Sequence, residues 1–285
     1  MHDLPRRAVT AIVFVAFVLS GLVIHEYGFL LLMLLIHTGC LWEYFRLVSS
    51  QQEYSATQRR ISTIYSITSG TIIFYLLATG FRFLPYVNEY IYFFTIPLLL
   101  GFLVVEMLLK STFPLRNAGL NVLGIIYITF PLSMGVFFPY AHEKGAWFPE
   151  RSGLMLGIIL LVWANDTMAY FTGSLLGKNK LFPSVSPAKT WEGFAGGLGS
   201  AILTGWLLSQ FFHQFNTLGW MAVGAIVAVT GTLGDLVESM IKRNAGVKDS
   251  GTILPGHGGF LDRFDAFIFC IPFVFVFYMI VLLLK

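Results

Sequence analysis

The chain has 285 residues, of which 56% are hydrophobic and only 12% are charged. This composition excludes an ordinary soluble globular protein, and it is typical of an integral membrane protein with little room for a soluble domain. The net charge of +3 is small, so the positions of the charged residues are more informative than their sum.

Nine apolar segments follow one another along the chain, each close to the roughly 20 residues that a membrane-spanning helix needs. Their approximate ranges are 8–24, 27–47, 61–80, 90–109, 119–140, 153–175, 191–212, 217–237 and 264–284. Residues 30–36 are apolar at every position, without the alternation that a membrane β-barrel requires. The first segment lacks a small-residue cleavage site, so we interpret it as a retained helix. The sequence therefore predicts an all-α integral membrane protein with about nine transmembrane helices.

The lysines and arginines are distributed unevenly between the two sides of this arrangement. Fourteen of the 18 fall on the side that holds the N-terminus, and four fall on the other side. The bias weakens to seven against four when the two most basic loops, after segments 6 and 8, are left out. Because positive residues concentrate in cytoplasmic loops, we expect a cytoplasmic N-terminus and an external C-terminus.

Polar residues are sparse in the first half of the chain and concentrate from Asp166 onward. We therefore divide one structural unit into a scaffold half, residues 1–150, and a half that carries the polar site, residues 151–285. Cys40 and Cys270 both fall inside apolar segments. They are predicted to be buried, since their spacing indicates neither a disulfide framework nor a zinc site.

Asp166 lies inside the sixth segment, with apolar residues on both sides. A charged carboxylate at that depth is costly unless it faces water, a partner or a metal ion. A functional carboxylate is therefore favoured, and a structural carboxyl that hydrogen-bonds between helices remains the alternative.

The loop after the sixth segment ends in Ser186-Pro187-Ala188-Lys189-Thr190, just before the next apolar segment. Pro187 suits the first position of a helix, so Ser186 is predicted to be the N-cap, with Lys189 and Thr190 in the first turn. A helix N-terminus that carries a lysine and a hydroxyl is suited to binding an anion. The alternative is an ordinary basic loop.

The eighth segment ends in a polar stripe, Asp235, Glu238, Ser239 and Lys242. These residues are three, four and seven positions apart, so they share one face of a helix. A polar face at the end of an apolar helix is expected to line a wet cavity. The alternative is an ion pair within the helix.

A glycine-rich loop then leads to Asp262 and Asp265 at the start of the last segment. Five glycines between residues 246 and 259 allow a backbone to come close to a ligand, and His257 stands among them. Asp262 and Asp265 share a helix face, and carboxylates so close repel each other unless a cation lies between them. Oxygen ligands favour Mg²⁺ or a similarly hard cation.

Residues 239–265 read S-M-I-K-R, then K-D, then H-G-G-F-L-D-R-F-D, and this pattern resembles the signature of the phosphatidate cytidylyltransferases. Every fixed position of that signature is present, and residues 166–173 and 186–193 are similar to a second region of the family. Ala188 departs from the pattern, because a basic residue is common there. The resemblance covers about 100 residues, from 163 to 265.

The resemblance implies an enzyme that transfers the cytidylyl group of CTP to phosphatidic acid, giving CDP-diacylglycerol and pyrophosphate. It also implies Mg²⁺, room for a second cation, a homodimer and no nucleic-acid partner. In a bacterium the enzyme would lie in the plasma membrane, with its active site facing the cytoplasm.

The resemblance further implies three groups of site residues. The metal ligands would be Asp166, Asp235, Asp262 and Asp265, with Asp249 as an alternative fourth ligand. The catalytic residues would be Lys189, Lys242, Arg243, Lys248, Asp249, His257 and Arg263, and a structural role in the loop is the alternative for His257. The nucleotide and phosphate would contact Ser186, Lys189, Thr190, Ser239, Lys242, Gly258 and Gly259.

Two other functions remain open from the residues alone. A CTP-dependent lipid kinase would bind the same nucleotide but transfer its terminal phosphate, releasing CDP in place of pyrophosphate. An ion-coupled transporter would use Asp166 as an ion site near the middle of the membrane. Transporters usually show repeated halves and broken helices, and no clear repeat is present.

Overall fold

The computed structural model describes residues 3–80, 92–140, 152–251 and 258–284, and these are almost entirely helical. The helices are α1 (Asp3–Val23), α2 (Glu26–Ser50), α3 (Ala56–Gly80), α4 (Thr95–Leu109), α5 (Pro114–Gly124), α6 (Phe130–Phe137), α7 (Gly153–Leu176), α8 (Trp191–Leu208), α9 (Thr217–Asn244) and α10 (Leu261–Leu283). A π-helical turn, Ile125–Thr129, joins α5 to α6 into one rod. Short 3-10 turns cover Tyr92–Phe94 and Phe138–Tyr140, and two strands, β1 (Lys180–Phe182) and β2 (Ser186–Thr190), form a hairpin.

Within the described residues, six helical rods are long and apolar enough to cross a membrane. They are Glu26–Ser50, Ala56–Ala78, Pro114–Phe137, Gly153–Leu176, Thr217–Asn244 and Leu261–Leu283. The shorter stretches Val13–Val23 and Thr95–Leu109 are also apolar helices. The predicted all-α membrane architecture is confirmed, whereas the count of nine spans and the orientation of the termini stay predictions.

Helix α2 lies at the centre of the N-terminal half. It packs against α1, α3, α5 and α6, and it also reaches α10 at the other end of the chain. Large apolar side chains such as Phe29, Met33 and Phe45 are fully buried along it. Cys40 of α2 and Cys270 of α10 are buried free thiols, as predicted. Helix α2 therefore helps to connect the two halves of the molecule, as does the packing of α6 against α10.

Helices α7 to α10 pack against one another in chain order, and glycines bring their backbones close together. A Cβ on Gly197 of α8 would lie 2.6 Å from the Asn165 side-chain oxygen and 2.9 Å from the Asn165 carbonyl oxygen. Gly224 of α9 meets the Ala201 backbone in the same way. Small residues at such crossings are typical of packed membrane helices.

The predicted helix start at Ser186 is wrong. Residues 186–190 form strand β2, antiparallel to β1, with Lys180 opposite Thr190. Pro187 is tolerated because a strand of a two-stranded sheet has an unpaired edge. The helix begins at Trp191, and the Thr190 hydroxyl caps it by accepting a hydrogen bond of 3.1 Å from the Gly193 backbone N–H.

The base of this hairpin is fastened to the first turn of α8. The Glu192 carboxylate accepts hydrogen bonds from the backbone N–H groups of Lys178, at 3.1 Å, and Asn179, at 3.2 Å. The Trp191 N–H also donates to the Asn179 carbonyl oxygen at 2.9 Å. Lys189 is therefore presented by a short, tethered strand.

Candidate active site

A cavity of about 930 Å³ opens between α1, α7, the hairpin, and parts of α8, α9 and α10. Its charged lining residues are Asp166, Lys189, Asp235, Asp262, Arg263 and Asp265. Its apolar and aromatic lining includes Phe14, Val15, Val162, Trp163, Tyr170 and Phe194. The sequence-based expectation that Asp166 shares a cavity with the aspartates of α9 and α10 is confirmed.

Asp235 and Asp265 meet because the backbones of α9 and α10 touch beside them. A Cβ on Gly234 would lie 2.9 Å from the Asp265 carbonyl oxygen and 3.2 Å from the Ala266 Cα. Only glycine permits that approach, and it lets Asp235, the next residue, and Asp265 line the same cavity.

Asp166 projects into the cavity from the middle of α7. Its Oδ1 atom accepts a hydrogen bond of 3.2 Å from the Asn165 side-chain amide. Its carboxylate is near enough to Asp235 and Lys189 to interact with their charges. Because the cavity gives it access to water and to a cation, a charged group at this depth has a physical explanation.

Lys189 is ion-paired with Asp235, and its ammonium lies 3.5 Å from the Thr232 carbonyl oxygen. The side chains of Lys189 and Asp235 are 25% and 26% exposed. Both line the cavity. An anionic ligand in the cavity can therefore compete with Asp235 for the lysine.

Lys242 forms a second, more buried ion-pair group. Its Nζ atom lies 2.6 Å from Glu238 Oε2 and 2.7 Å from Asp262 Oδ1. The side chains of Lys242, Glu238 and Asp262 are only 12%, 1% and 9% exposed. The ion pair within the helix that the sequence left open is present, and Asp262 extends it to α10.

Asp262 also organises the glycine-rich loop. Its Oδ2 atom accepts hydrogen bonds from the Ser250 N–H at 2.9 Å, the Ser250 hydroxyl at 3.0 Å and the Gly259 N–H at 2.8 Å. Gly258 has a φ of +82°, a conformation that favours glycine. The two glycines predicted to contact the nucleotide therefore shape the turn before α10, and the amide of Gly259 is engaged by Asp262.

Eight of the predicted residues that the structure describes are not among those that line the cavity. They are Ser186, Ser239, Lys242, Arg243, Lys248, Asp249, Gly258 and Gly259. Arg243 is exposed and donates to the Val247 carbonyl oxygen at 3.0 Å. Lys248 and Asp249 are exposed on the loop after α9. His257 lies outside the described residues.

Comparison with known proteins places this site in a family. The model of the Cytidylyltransferase family matches residues 5–281 of the chain. The chain belongs to the Cytidylyltransferase family. This membership confirms the resemblance drawn from residues 239–265.

Several curated relatives of the chain in the Cytidylyltransferase family carry the name phosphatidate cytidylyltransferase. That of Staphylococcus saprophyticus is 44% identical over 168 residues, which cover 58% of this chain and 61% of the relative. That of Staphylococcus aureus is 41% identical over 177 residues, covering 61% and 64%. That of Staphylococcus epidermidis is 42% identical over 177 residues. The chain therefore aligns with a little over three fifths of the length of these relatives.

The residues fit the magnesium ion that the family resemblance implies, although they do not form a closed metal centre. No three histidine, cysteine, aspartate or glutamate side chains of the described residues stand close enough to hold a metal ion alone. Asp166, Asp235 and Asp265 nevertheless offer only oxygen donors to one cavity. Mg²⁺ is usually bound by one or two carboxylates together with substrate phosphates, and such an arrangement suits this cavity. Asp262 fits less well, because Lys242 and the loop already engage both of its oxygens.

Glu43 contacts the segment beside this cavity, and it is missing from the sequence-based set. It lies in α2, in the half expected to be a scaffold, and it accepts hydrogen bonds from the loop that precedes α10. A signal was present, since a glutamate between Trp42 and Tyr44 of an apolar helix is costly without a partner. Glu106 of α4 gives the same signal, so the sequence alone does not single out Glu43.

Proposed function

We propose that this chain is a phosphatidate cytidylyltransferase, which joins CTP and phosphatidic acid to give CDP-diacylglycerol and pyrophosphate. One observation carries the proposal: a single cavity combines four aspartates and two cationic residues with an apolar, aromatic wall. Phosphates and their metal ion require the charged residues of this lining. A lipid with acyl chains requires the apolar, aromatic wall. Family membership and the names of the relatives support the same reaction.

The lining suggests how the two substrates share the cavity. Lys189 and Arg263 are the cations of the lining, and they would bind phosphate oxygens of CTP and of the lipid. Phe14 and Trp163 belong to the apolar lining, and this part would accept the start of the acyl chains. The lipid phosphate and the nucleotide phosphates then lie within reach of the same aspartates.

The reaction requires one anion to attack another. An oxygen of the lipid phosphate forms a new bond to the α-phosphorus of CTP, and the bond from that phosphorus to the oxygen of the β-phosphate breaks, releasing pyrophosphate. The lipid phosphate is already an anion near neutral pH, so no strong general base is needed. Lys189 and Arg263 lower the barrier by neutralising charge that would otherwise repel the attacking group.

A magnesium ion would be held by one or two of Asp235, Asp265 and Asp166 together with substrate phosphates, with Asp262 as the remaining candidate. When bound, Mg²⁺ would supply charge neutralisation and alignment of the phosphates. Asp235 and Asp265 line one cavity, and this favours a cation there, because carboxylates that share a site repel each other.

The decisive experiment uses the full chain purified in detergent, supplied with CTP, phosphatidic acid and Mg²⁺. We expect pyrophosphate and CDP-diacylglycerol in equal amounts, and no product when diacylglycerol replaces phosphatidic acid. Release of CDP with a doubly phosphorylated lipid would instead identify a lipid kinase. Absence of any nucleotide-dependent product would reject the proposal.

The cavity is proposed to open to the cytoplasm, from which CTP arrives, in the plasma membrane of a bacterial cell. The homodimer remains part of the same proposal. Reporter fusions after Lys285 test the orientation, and we expect them to respond as external. A cytoplasmic response would overturn the orientation, and cross-linking in membranes tests the dimer.

A further inference from the structure

Glu43 is a buried carboxylate that holds the loop leading into α10. It is 1% exposed. Its Oε1 atom accepts a hydrogen bond from the Phe260 backbone N–H at 3.0 Å. Its Oε2 atom accepts from the Leu261 N–H at 2.9 Å and from the Ser250 hydroxyl at 2.7 Å. Both carboxylate oxygens are therefore used by a segment more than 200 positions away in the chain.

These bonds supply a cap that α10 does not make for itself. Phe260 is the N-cap residue of α10, and its side chain makes no capping hydrogen bond. The first N–H groups of a helix need acceptors, and a negative charge beside them is favourable. Glu43 supplies both from α2.

The same loop is held on its other side by Asp262. The Ser250 hydroxyl lies between the two carboxylates, 2.7 Å from Glu43 Oε2 and 3.0 Å from Asp262 Oδ2. A Cβ on Gly251 would run into Glu43 Oε1, and one on Gly259 would run into Glu43 Oε2. The absence of side chains at these two glycines is what allows the backbone at Gly251 and Gly259 to come close to Glu43.

We infer that Glu43 is a positioning residue of the active site, acting through the loop ends at Ser250 and Phe260 on the first turn of α10. That turn carries Asp262 and Arg263 and leads to Asp265, all of which line the cavity. The test by kcat rests on the proposed function. The test by hydrogen exchange rests only on the hydrogen bonds of Glu43. Glutamine does not replace Glu43, since its NH₂ group faces at least one N–H donor where an acceptor is required.

The experiment compares Glu43→Gln with Glu106→Gln in the full chain. Glu106 is also 1% exposed, and it accepts hydrogen bonds from Ser111 at 2.6 Å and Asn117 at 3.3 Å, away from the cavity. Both variants remove a buried, hydrogen-bonded carboxylate. Only Glu43→Gln disturbs the start of α10.

We expect Glu43→Gln to lower kcat by about 10- to 100-fold, the cost of small misplacements in an active site, with a smaller change in KM for CTP. Glu106→Gln should keep kcat within about twofold, although the two variants lose similar amounts of Tm. Hydrogen exchange at the Phe260 and Leu261 amides should accelerate in Glu43→Gln only. Equal kcat losses in the two variants, or unchanged exchange at both amides, would overturn the inference.

Ser250→Ala provides a second test if Glu43→Gln does not accumulate in the membrane. It removes the hydroxyl between Glu43 and Asp262 but leaves no buried charge without donors. We expect the same direction of change, with faster exchange at Phe260 and a lower kcat. Hydrogen exchange is measured without substrate, so it tests the role of Glu43 even if the chain makes no CDP-diacylglycerol. If the enzyme is active but exchange is unchanged, the inference about Glu43 is rejected and the proposed function stands.

Discussion

Two lysine–carboxylate groups lie at the same site, and they differ in their access to water. Lys189 and Asp235 are partly exposed and line the cavity, whereas Lys242, Glu238 and Asp262 are nearly buried around one ammonium. An exposed pair contributes little to stability and exchanges partners easily. A buried pair is costly to break. From this comparison we propose that Lys189 contacts the ligand and that Lys242 holds α9 and α10 together, although the sequence suggested one role for both.

The largest effect is expected for a residue that lines the cavity. Asp265→Asn removes a ligand charge with little change of shape, and we expect kcat to fall by at least about 10²- to 10³-fold, the range for losing one electrostatic group of an active site. The Tm in detergent should stay close to that of the unmodified protein. Substantial turnover at ordinary Mg²⁺ concentrations would remove Asp265 from the metal-binding set.

The second prediction tests the buried ion-pair group around Lys242. Lys242→Met leaves Glu238 and Asp262 without their cation, and we expect a loss of about 3–5 kcal/mol in the free energy of unfolding. Lys189→Met should cost less than about 1 kcal/mol but raise KM for CTP. Thermal unfolding and initial rates measure both variants. Equal loss of Tm in the two would break the distinction between them.

The third prediction concerns the contact between α9 and α10 at Gly234, beside Asp235 and Asp265. Gly234→Ala forces α9 away from the Asp265 carbonyl oxygen, and we expect a cost of about 1–3 kcal/mol with a parallel loss of kcat. Gly231→Ala is the matched control, because its Cβ would lie 3.5 Å from the Ala266 Cβ, an ordinary contact. If both variants behave alike, the close approach at Gly234 does not set the aspartate positions.

The last prediction separates two candidates for the same metal-binding role, and it includes the smallest expected effect. Asp166 lines the cavity and Asp249 is exposed on the loop. We therefore expect Asp166→Asn to lower kcat strongly and Asp249→Asn to change it by less than about twofold, as for most exposed substitutions. Rates measured over a Mg²⁺ titration decide between them. The reverse order would return Asp249 to the site.

Much of the architecture was readable from the sequence, because a membrane imposes its constraint on continuous stretches of the chain. The apolar runs predicted the helices, and the polar stripe that begins at Asp235 predicted a wet cavity, which Asp235 lines. The spacing of Asp262 and Asp265 predicted that both face the same space, and both line the cavity.

The parts that were not predictable depend on contacts between distant segments. Pro187 is compatible with a helix start and with an edge strand, and the pairing of β1 with β2 decides for the strand. Lys189 and Lys242 differ in the side chains that pack around them. Glu43 acquires its role from a loop more than 200 residues later, which no local pattern reveals.

The hairpin that carries Lys189 determines how deep this lysine would lie in the bilayer. Phe182 at its first strand and Trp191 at its base are 53% and 55% exposed. Aromatic side chains of membrane proteins concentrate at the level of the lipid headgroups, and two such anchors would hold the hairpin there. The Lys189 ammonium would then stay at the height of the lipid phosphates, so that a lipid reaches it by moving sideways within its own leaflet.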